Sequence, residues 1–155
     1  MILPDADAVA ALIRVAFAAQ PVATDPPMSA LLVTAADVAT HLERGGGGAV
    51  AEVGGVLTGS ALWEEQDGGL QVSRVAVAPG WRRRGIGRAL MAAAEAAARE
   101  KRLPRLRLAT RLVLADNRRL FATCGFVETQ RTAHPGYANA TSVTMEKDLT
   151  RARRG

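Results

Sequence analysis

The sequence is poor in the residues that build covalent or metal frameworks, with one cysteine, Cys124, and two histidines, His41 and His134. A lone thiol closes no internal disulfide, and so few Cys and His exclude a secreted disulfide scaffold and a metal cluster, so no metal is expected. Aromatic residues make up only 4% of the 155 positions. No apolar run approaches membrane-spanning length, and Asp5 and Asp7 stand where a signal peptide carries basic residues. The expectations are no membrane association and a cytoplasmic location.

What is present is apolar bulk and positive charge. With 48% hydrophobic residues the chain can build one ordinary core. Residues 1–149 read as one domain and residues 150–155 as a basic tail. The net charge of +5 is unevenly placed: Trp81 to Leu120 holds twelve Arg and Lys against three acids, and the remainder holds eight against twelve. Such a concentration favours an anionic partner, either nucleic acid or a small polyphosphate. The basic segment has an aromatic near each end and none between, so it lacks a base-stacking platform and nucleic acid is disfavoured.

Periodicity and punctuation give the order of elements. Asp5 is expected to cap a helix to about Ala19, with Val9, Leu12, Ile13 and Ala16 on one face. Pro21, Pro26 and Pro27 make Gln20 to Ser29 an irregular loop, of the kind that often lies over a substrate cleft. Thr34 caps a short helix through Arg44, with His41 as a surface residue, and Gly45 to Gly48 reads as a flexible connecting turn. Strands at Ala49 to Val53, Val56 to Glu64 and Leu70 to Ala78 form an antiparallel meander. An alanine-rich helix from about Gly85 to Lys101, a strand near Arg105 to Ala109 and a helix from about Asp116 to Cys124 follow. Two strands, Phe126 to Thr132 and Thr141 to Leu149, flank a turn at His134-Pro135-Gly136.

One strand breaks its own period. Leu70 and Val72 share a face, but the next large apolar pair, Val75 and Val77, begins three residues on. An extra residue near Ser73-Arg74, a β-bulge, restores the pattern and leaves a backbone N–H able to hold a ligand carbonyl. Directly downstream stands Pro79-Gly80-Trp81-Arg82-Arg83-Arg84-Gly85-Ile86-Gly87-Arg88, a turn leading into a helix N-terminus. Unsatisfied N–H groups and the helix dipole make such a start a natural pyrophosphate site, and Gly85 and Gly87 let phosphates approach the backbone. The arginines add forked donors. The first Rossmann glycine and the P-loop Gly-Lys-Ser/Thr ending are both absent.

Arg82-x-x-Gly85-x-Gly87 resembles the pyrophosphate loop of the GNAT superfamily of N-acetyltransferases. The resemblance continues in Val75-Ala76-Val77-x-Pro79, in Asn117 with Leu120-Phe121 and Gly125-Phe126, and in Met145-Glu146-Lys147-Asp148-Leu149. It spans about Val56 to Leu149. It implies an α/β fold with a mixed, mostly antiparallel, twisted sheet flanked by helices, whose fourth and fifth strands splay around the cofactor's pantetheine arm. Only Met1-Ile2-Leu3 precedes the first helix, so the first strand is expected to be truncated or very short.

The resemblance implies acetyl-CoA as cosubstrate and a small-molecule or peptide amine as acceptor, joined by direct attack in a ternary complex. It implies that the Arg82 to Arg88 backbone takes the pyrophosphate, Val75 to Val77 the pantetheine amides, and the Val75 N–H the thioester carbonyl as an oxyanion donor. Asn117 and Phe121 would line the arm near its sulfur. Many members pair their sheets, which makes a homodimer compatible with the resemblance. Two positions depart from the pattern: Gln71 stands where a glutamate often serves as base, and Phe121 replaces the tyrosine that protonates the departing thiolate. His134 is the substitute base proposed here, against a plain turn residue. Glu64 or Glu65 facing the cleft, Tyr137 as substrate contact or proton donor, and Cys124 as an acyl carrier are the others; solvated strand-end charge and a small buried thiol are the plainer readings of the glutamates and Cys124. A non-catalytic acyl-CoA-binding module and a nucleic-acid-binding protein are the competing functions.

Overall fold

In the computed structural model, which describes residues 1–150, the expected helical face of α1 (Ala6–Ala18) is buried: Val9, Leu12, Ile13 and Ala16 all turn inward. Its entry differs from expectation. Leu3–Asp5 form a 3-10 turn running into α1, so the Asp5 carboxylate accepts from the Ile2 N–H at 2.8 Å instead of capping the helix. No strand precedes this turn among the described residues, and the terminal ammonium donates to the Gly48 carbonyl at 3.2 Å. Helix α2 (Ala35–Glu43) starts as the sequence indicates. The Thr34 hydroxyl accepts from the Asp37 N–H at 3.2 Å, and the Asp37 carboxylate accepts from the Thr34 N–H at 3.0 Å, a reciprocal cap. Of the expected basic tail, residues 151–155 lie outside the described residues.

The glycine run after α2 is a connecting turn only in its first half, at Gly45 and Gly46. Gly47 and Gly48 already belong to strand β1 (Gly47–Val53). A Cβ on Gly46 would meet the His41 ring at 2.5 Å, and one on Gly48 would meet the Ala61 carbonyl oxygen at 2.6 Å. Gly46 to Gly48 are glycine because rings and backbone pack against them, whereas Gly45, with φ 91° and open space around the missing Cβ, is glycine for its backbone conformation. His41, expected at the surface, is half-buried and brings Nε2 to 2.9 Å from the Gly47 carbonyl oxygen, tying α2 to β1.

Strands β2 (Val56–Gln66) and β3 (Gly69–Val77) complete the antiparallel meander. Helix α3 (Ile86–Glu100) crosses over to β4 (Arg105–Arg111), which lies parallel to β3. Helix α4 (Ala115–Thr123) leads to β5 (Val127–Thr132), and β6 (Ser142–Asp148) inserts between β4 and β5. The sheet order is β1-β2-β3-β4-β6-β5. One face packs on α1 and α2 through Ile13, Val38, Leu62 and Ala76. The other packs on α3 through Leu70, Val72, Met91, Ala94 and Leu108. Each fully buried Leu or Val contributes about 1.5–3 kcal/mol.

Two details position the site. A Cβ on Gly59 would meet Ile86 Cγ2 at 2.7 Å, so α3 lies close on the sheet at its first turn. Strands β3 and β4 pair only from Leu70↔Leu106 to Val72↔Leu108. Beyond Val72 they part, which is the splay expected of the fourth and fifth strands, here the third and fourth because the sheet begins at Gly47.

Candidate active site

The broken period in β3 is a bulge. Ser60 faces Ala76 and Leu62 faces Ser73, so Arg74 and Val75 together oppose Ala61. Arg74 has φ 51°, a left-handed conformation that costs a non-glycine residue about 1–2 kcal/mol. The inserted residue keeps Val75 and Val77 on the α3 side with Leu70 and Val72, and turns Ala76 to the α1 side. Past Val72 the opposite edge of β3 has no strand partner among the described residues, which leaves backbone on that edge for a ligand.

The splay opens two cavities. The first, about 540 Å³, is lined by Val75, Ala76 and Val77 on one wall and by Arg82, Arg83, Gly85, Ile86, Gly87 and Arg88 at the start of α3. Asn117 and Phe121 of α4 close it. Gly85 takes φ 80° as the residue before α3, with nothing within 4 Å of where a Cβ would stand. A Cβ on Gly87 would meet Leu120 Cδ2 at 2.8 Å. Gly85 is thus glycine for its backbone conformation, and Gly87 for the approach of α4 as much as for any ligand.

The four arginines divide in their roles. Arg82 donates from Nη2 to the Ala16 carbonyl at 2.8 Å and from Nη1 to the Ala19 carbonyl at 3.3 Å, closing the C-terminus of α1. Arg84 does not line the cavity; its guanidinium lies 4.9 Å from the centre of the Trp81 ring. Arg83 and Arg88 line it, with the first residues of α3, whose N–H groups have no acceptor within the helix. Together these donors suit a diphosphate.

The second cavity, about 290 Å³, lies on the other side of the splay and is lined by Gln71, Arg74, Thr110, Arg111, His134 and Ser142, among others. Phe17, Val75, Asn117 and Phe121 line both cavities. Of the residues singled out in the sequence, Gln71 and His134 are brought together here. The His134 ring contacts Thr141 through Nδ1, and its backbone N–H donates to the same hydroxyl oxygen at 3.0 Å. The tautomer with the proton on Nδ1 donates to Thr141 and leaves Nε2 with its lone pair.

Tyr137 is not brought into this cavity. Its hydroxyl donates to Asp25 at 2.5 Å, and that bond raises its pKa above the ordinary phenol value. Its ring meets His134 edge-on at 6.4 Å. Glu64 and Glu65 are exposed at the end of β2, and Cys124 is half-buried against the α3-side core; none lines either cavity. Sequence reasoning missed Phe17, which follows Ile13 by one turn on the inward side of α1 and is half-buried, and Arg74 as a cavity side chain. It also missed Arg111, which donates to the carbonyls of Pro26 at 2.6 Å and Pro27 at 3.4 Å. Those contacts place the proline loop beside the second cavity, whose Met28 and Ser29 line it.

Among the described residues no cluster of three or more His, Cys, Asp or Glu is arranged to hold a metal ion, and no helix is long and apolar enough to cross a membrane. The family model described as the acetyltransferase (GNAT) family matches residues 10–126. Among solved structures, the PaiA N-acetyltransferase from Thermoplasma acidophilum in complex with coenzyme A is 15% identical, with a TM-score of 0.76, covering 96% of this chain and 95% of that one. The ribosomal-protein-S18-alanine N-acetyltransferase from Escherichia coli is 19% identical, with a TM-score of 0.76, covering 100% and 94%. A ribosomal-protein-alanine N-acetyltransferase from Brucella melitensis is 22% identical, with a TM-score of 0.73, covering 96% and 97%. No match is found among curated proteins.

Proposed function

The chain belongs to the GNAT family of acetyltransferases, and from that premise we propose that it transfers an acetyl group from acetyl-CoA to a primary amine of a small molecule or peptide. One observation carries this reading: two cavities on opposite sides of the β3–β4 splay share Phe17, Val75, Asn117 and Phe121. A donor entering from one side and an acceptor from the other meet there. The first cavity fits coenzyme A, with Arg83, Arg88 and the α3 N-terminus suited to its diphosphate and the unpaired edge of β3 suited to its pantetheine amides. The fold is shared with an N-acetyltransferase solved with coenzyme A.

Bound there, acetyl-CoA supplies an activated acetyl thioester. The acceptor ammonium first gives up a proton, to His134 or to water, and its nitrogen then forms a C–N bond with the acetyl carbon as the C–S bond breaks. The sulfur leaves with the electron pair and takes up a proton, and the nitrogen loses its second proton to become an amide. The Val75 N–H is the oxyanion donor in this scheme, and holding both partners at one waist supplies much of the acceleration. Gln71 orients acceptor or water. The residues 1–149 act as one domain, and the single cysteine suits a reducing cytoplasm.

A second reading, a non-catalytic acyl-CoA-binding module, is favoured by Phe121, which lines both cavities and has no proton to give. Calorimetry with acetyl-CoA at low salt should show saturable binding, and a thiol-release assay over an amine library should show turnover that depends on one amine class. No measurable binding removes both readings. Binding without amine-dependent thiol release leaves the module.

A further inference from the structure

On the reading just given, the second cavity receives the acceptor, and its charge is one-sided. Arg74, Arg111 and His134 line it, and no Asp or Glu does. Two acids lie nearby without lining it: Asp37, whose carboxylate accepts from the Thr34 N–H at the start of α2 and whose charge acts on Arg74, and Asp25, which accepts from the Tyr137 hydroxyl. An acceptor that is an ammonium ion in neutral water therefore meets two fixed guanidiniums with no carboxylate to receive it. That field disfavours diamines and other purely cationic acceptors. It suits an amine that brings its own anion.

The two arginines are not equivalent. Arg111 donates to two carbonyls of the proline loop, so it is engaged in holding that loop. Arg74 gives Nη2 to the Ser29 hydroxyl at 3.0 Å, one neutral acceptor for a fork of five N–H donors. It is half-buried, and burial lowers its pKa from the ordinary guanidinium value against the opposing charge of Asp37. The guanidinium has lost water without gaining a carboxylate in contact. Arg74 is also the left-handed residue of the bulge, immediately before Val75. Arg74 and Val75 line the same cavity, so an anion held on the free donors of Arg74 shares the acceptor's space.

We propose that the acceptor is a small amine carrying a carboxylate within a few bonds of the reacting nitrogen, an amino acid or a close analogue, and that Arg74 binds this carboxylate. A cavity of about 290 Å³ accommodates one such molecule. The arrangement also bears on Gln71, which leaves the acceptor without the usual glutamate base. Surrounding guanidiniums favour the neutral amine over the ammonium and so ease loss of the proton, while the arginine–carboxylate pair keeps the molecule bound. The product is an N-acetyl amino acid, formed with the thiol of coenzyme A and one released proton.

The test is thiol release from acetyl-CoA by the whole chain with matched acceptors: free amino acids, the same compounds as carboxamides and methyl esters, and diamines of similar size. Free acids should exceed their carboxamides in kcat/KM by about tenfold or more. Arg74→Asn removes the charge with a side chain that tolerates the left-handed region. It should abolish that preference, mainly through the acceptor KM, and Arg74→Lys should retain part of it. Carboxamides or diamines that turn over as well as the acids overturn the inference, as does a full preference surviving in Arg74→Asn with unchanged acetyl-CoA affinity. Should Arg74→Asn not fold, the wild-type acceptor comparison decides alone. Binding of acetyl-CoA without turnover of any free amino acid defeats this inference only, whereas absence of acetyl-CoA binding defeats the functional reading beneath it.

Discussion

His134 and Gln71 enter the second cavity from different elements, and the chemistry they can do differs. Gln71 has no proton to exchange, so the only titrating side chain besides the arginines in that lining is the imidazole, held to the Thr141 hydroxyl oxygen through its own backbone N–H. His134→Ala should lower kcat by about 10²-fold or more with acetyl-CoA affinity unchanged. Unchanged turnover would exclude His134 as the base. Ser60 offers a cleaner residue-scale test. It is fully buried and its Oγ has no hydrogen-bond partner among the described residues, whereas neighbouring Thr58 donates to the Ala51 carbonyl at 3.1 Å. Ser60→Ala should therefore be neutral or stabilising by up to about 1 kcal/mol in thermal or denaturant unfolding, because it removes an unsatisfied polar group. The bulge at Arg74 was legible because it shifts a two-residue period within one strand. The roles of Arg82 and His41 were not, because Arg82 bonds carbonyls 66 and 63 positions away and His41 reaches back across a turn of glycines.

At the scale of elements, the local signals that proved readable were those closed within a few residues. Thr34 and Asp37 cap α2 three positions apart, and Gly125, with φ 95°, ends α4. Asp5 misled because a preceding 3-10 turn takes its carboxylate. The start of α3 is the element on which the donor site depends. Gly85 sits at φ 80° with open space around the missing Cβ, so substitution there is opposed by the backbone and not by packing. Gly85→Ala should lower stability by about 1–2 kcal/mol and raise the KM for acetyl-CoA, since relaxing φ re-aims the first N–H groups of α3. Gly85→Asn should lose less of both, asparagine being tolerant of this conformation. Equal losses in the two variants would point to a ligand filling the space of the Cβ in place of backbone strain.

For the whole molecule, the sequence placed twelve cations in one segment, but the fold disperses them across layers, and this dispersal could not be read along the chain. Arg107 pairs with Glu146 of β6 at 3.1 Å and Arg118 with Glu128 of β5 at 2.5 Å. Arg105 donates to the Asp67 carbonyl at 2.6 Å. The charge of the basic segment is thus broken by pairs that stitch helix to sheet and strand to strand. Glu95 is the most enclosed of these acids: on α3, it meets Lys147 of β6 at 2.5 Å and Arg99 at 3.3 Å. The hydrogen bond from Lys147, aided by Arg99 and opposed by burial, holds the Glu95 carboxyl below its ordinary pKa. A carboxyl whose folded value lies below its unfolded value contributes its full stability above the ordinary carboxylate range and loses it as pH falls through the folded value. Glu95→Gln should accordingly lower Tm at neutral pH, and the gap from the wild type should narrow as the solution is acidified below the ordinary carboxylate pKa. Glu128, held down first by Arg118 and then by Arg131, titrates in the same sense at a more solvated site, so Glu128→Gln should show a smaller gap at neutral pH. A Glu95→Gln deficit that persists undiminished in acid would mean that the contact between α3 and β6 is held by packing and not by the charge of this residue.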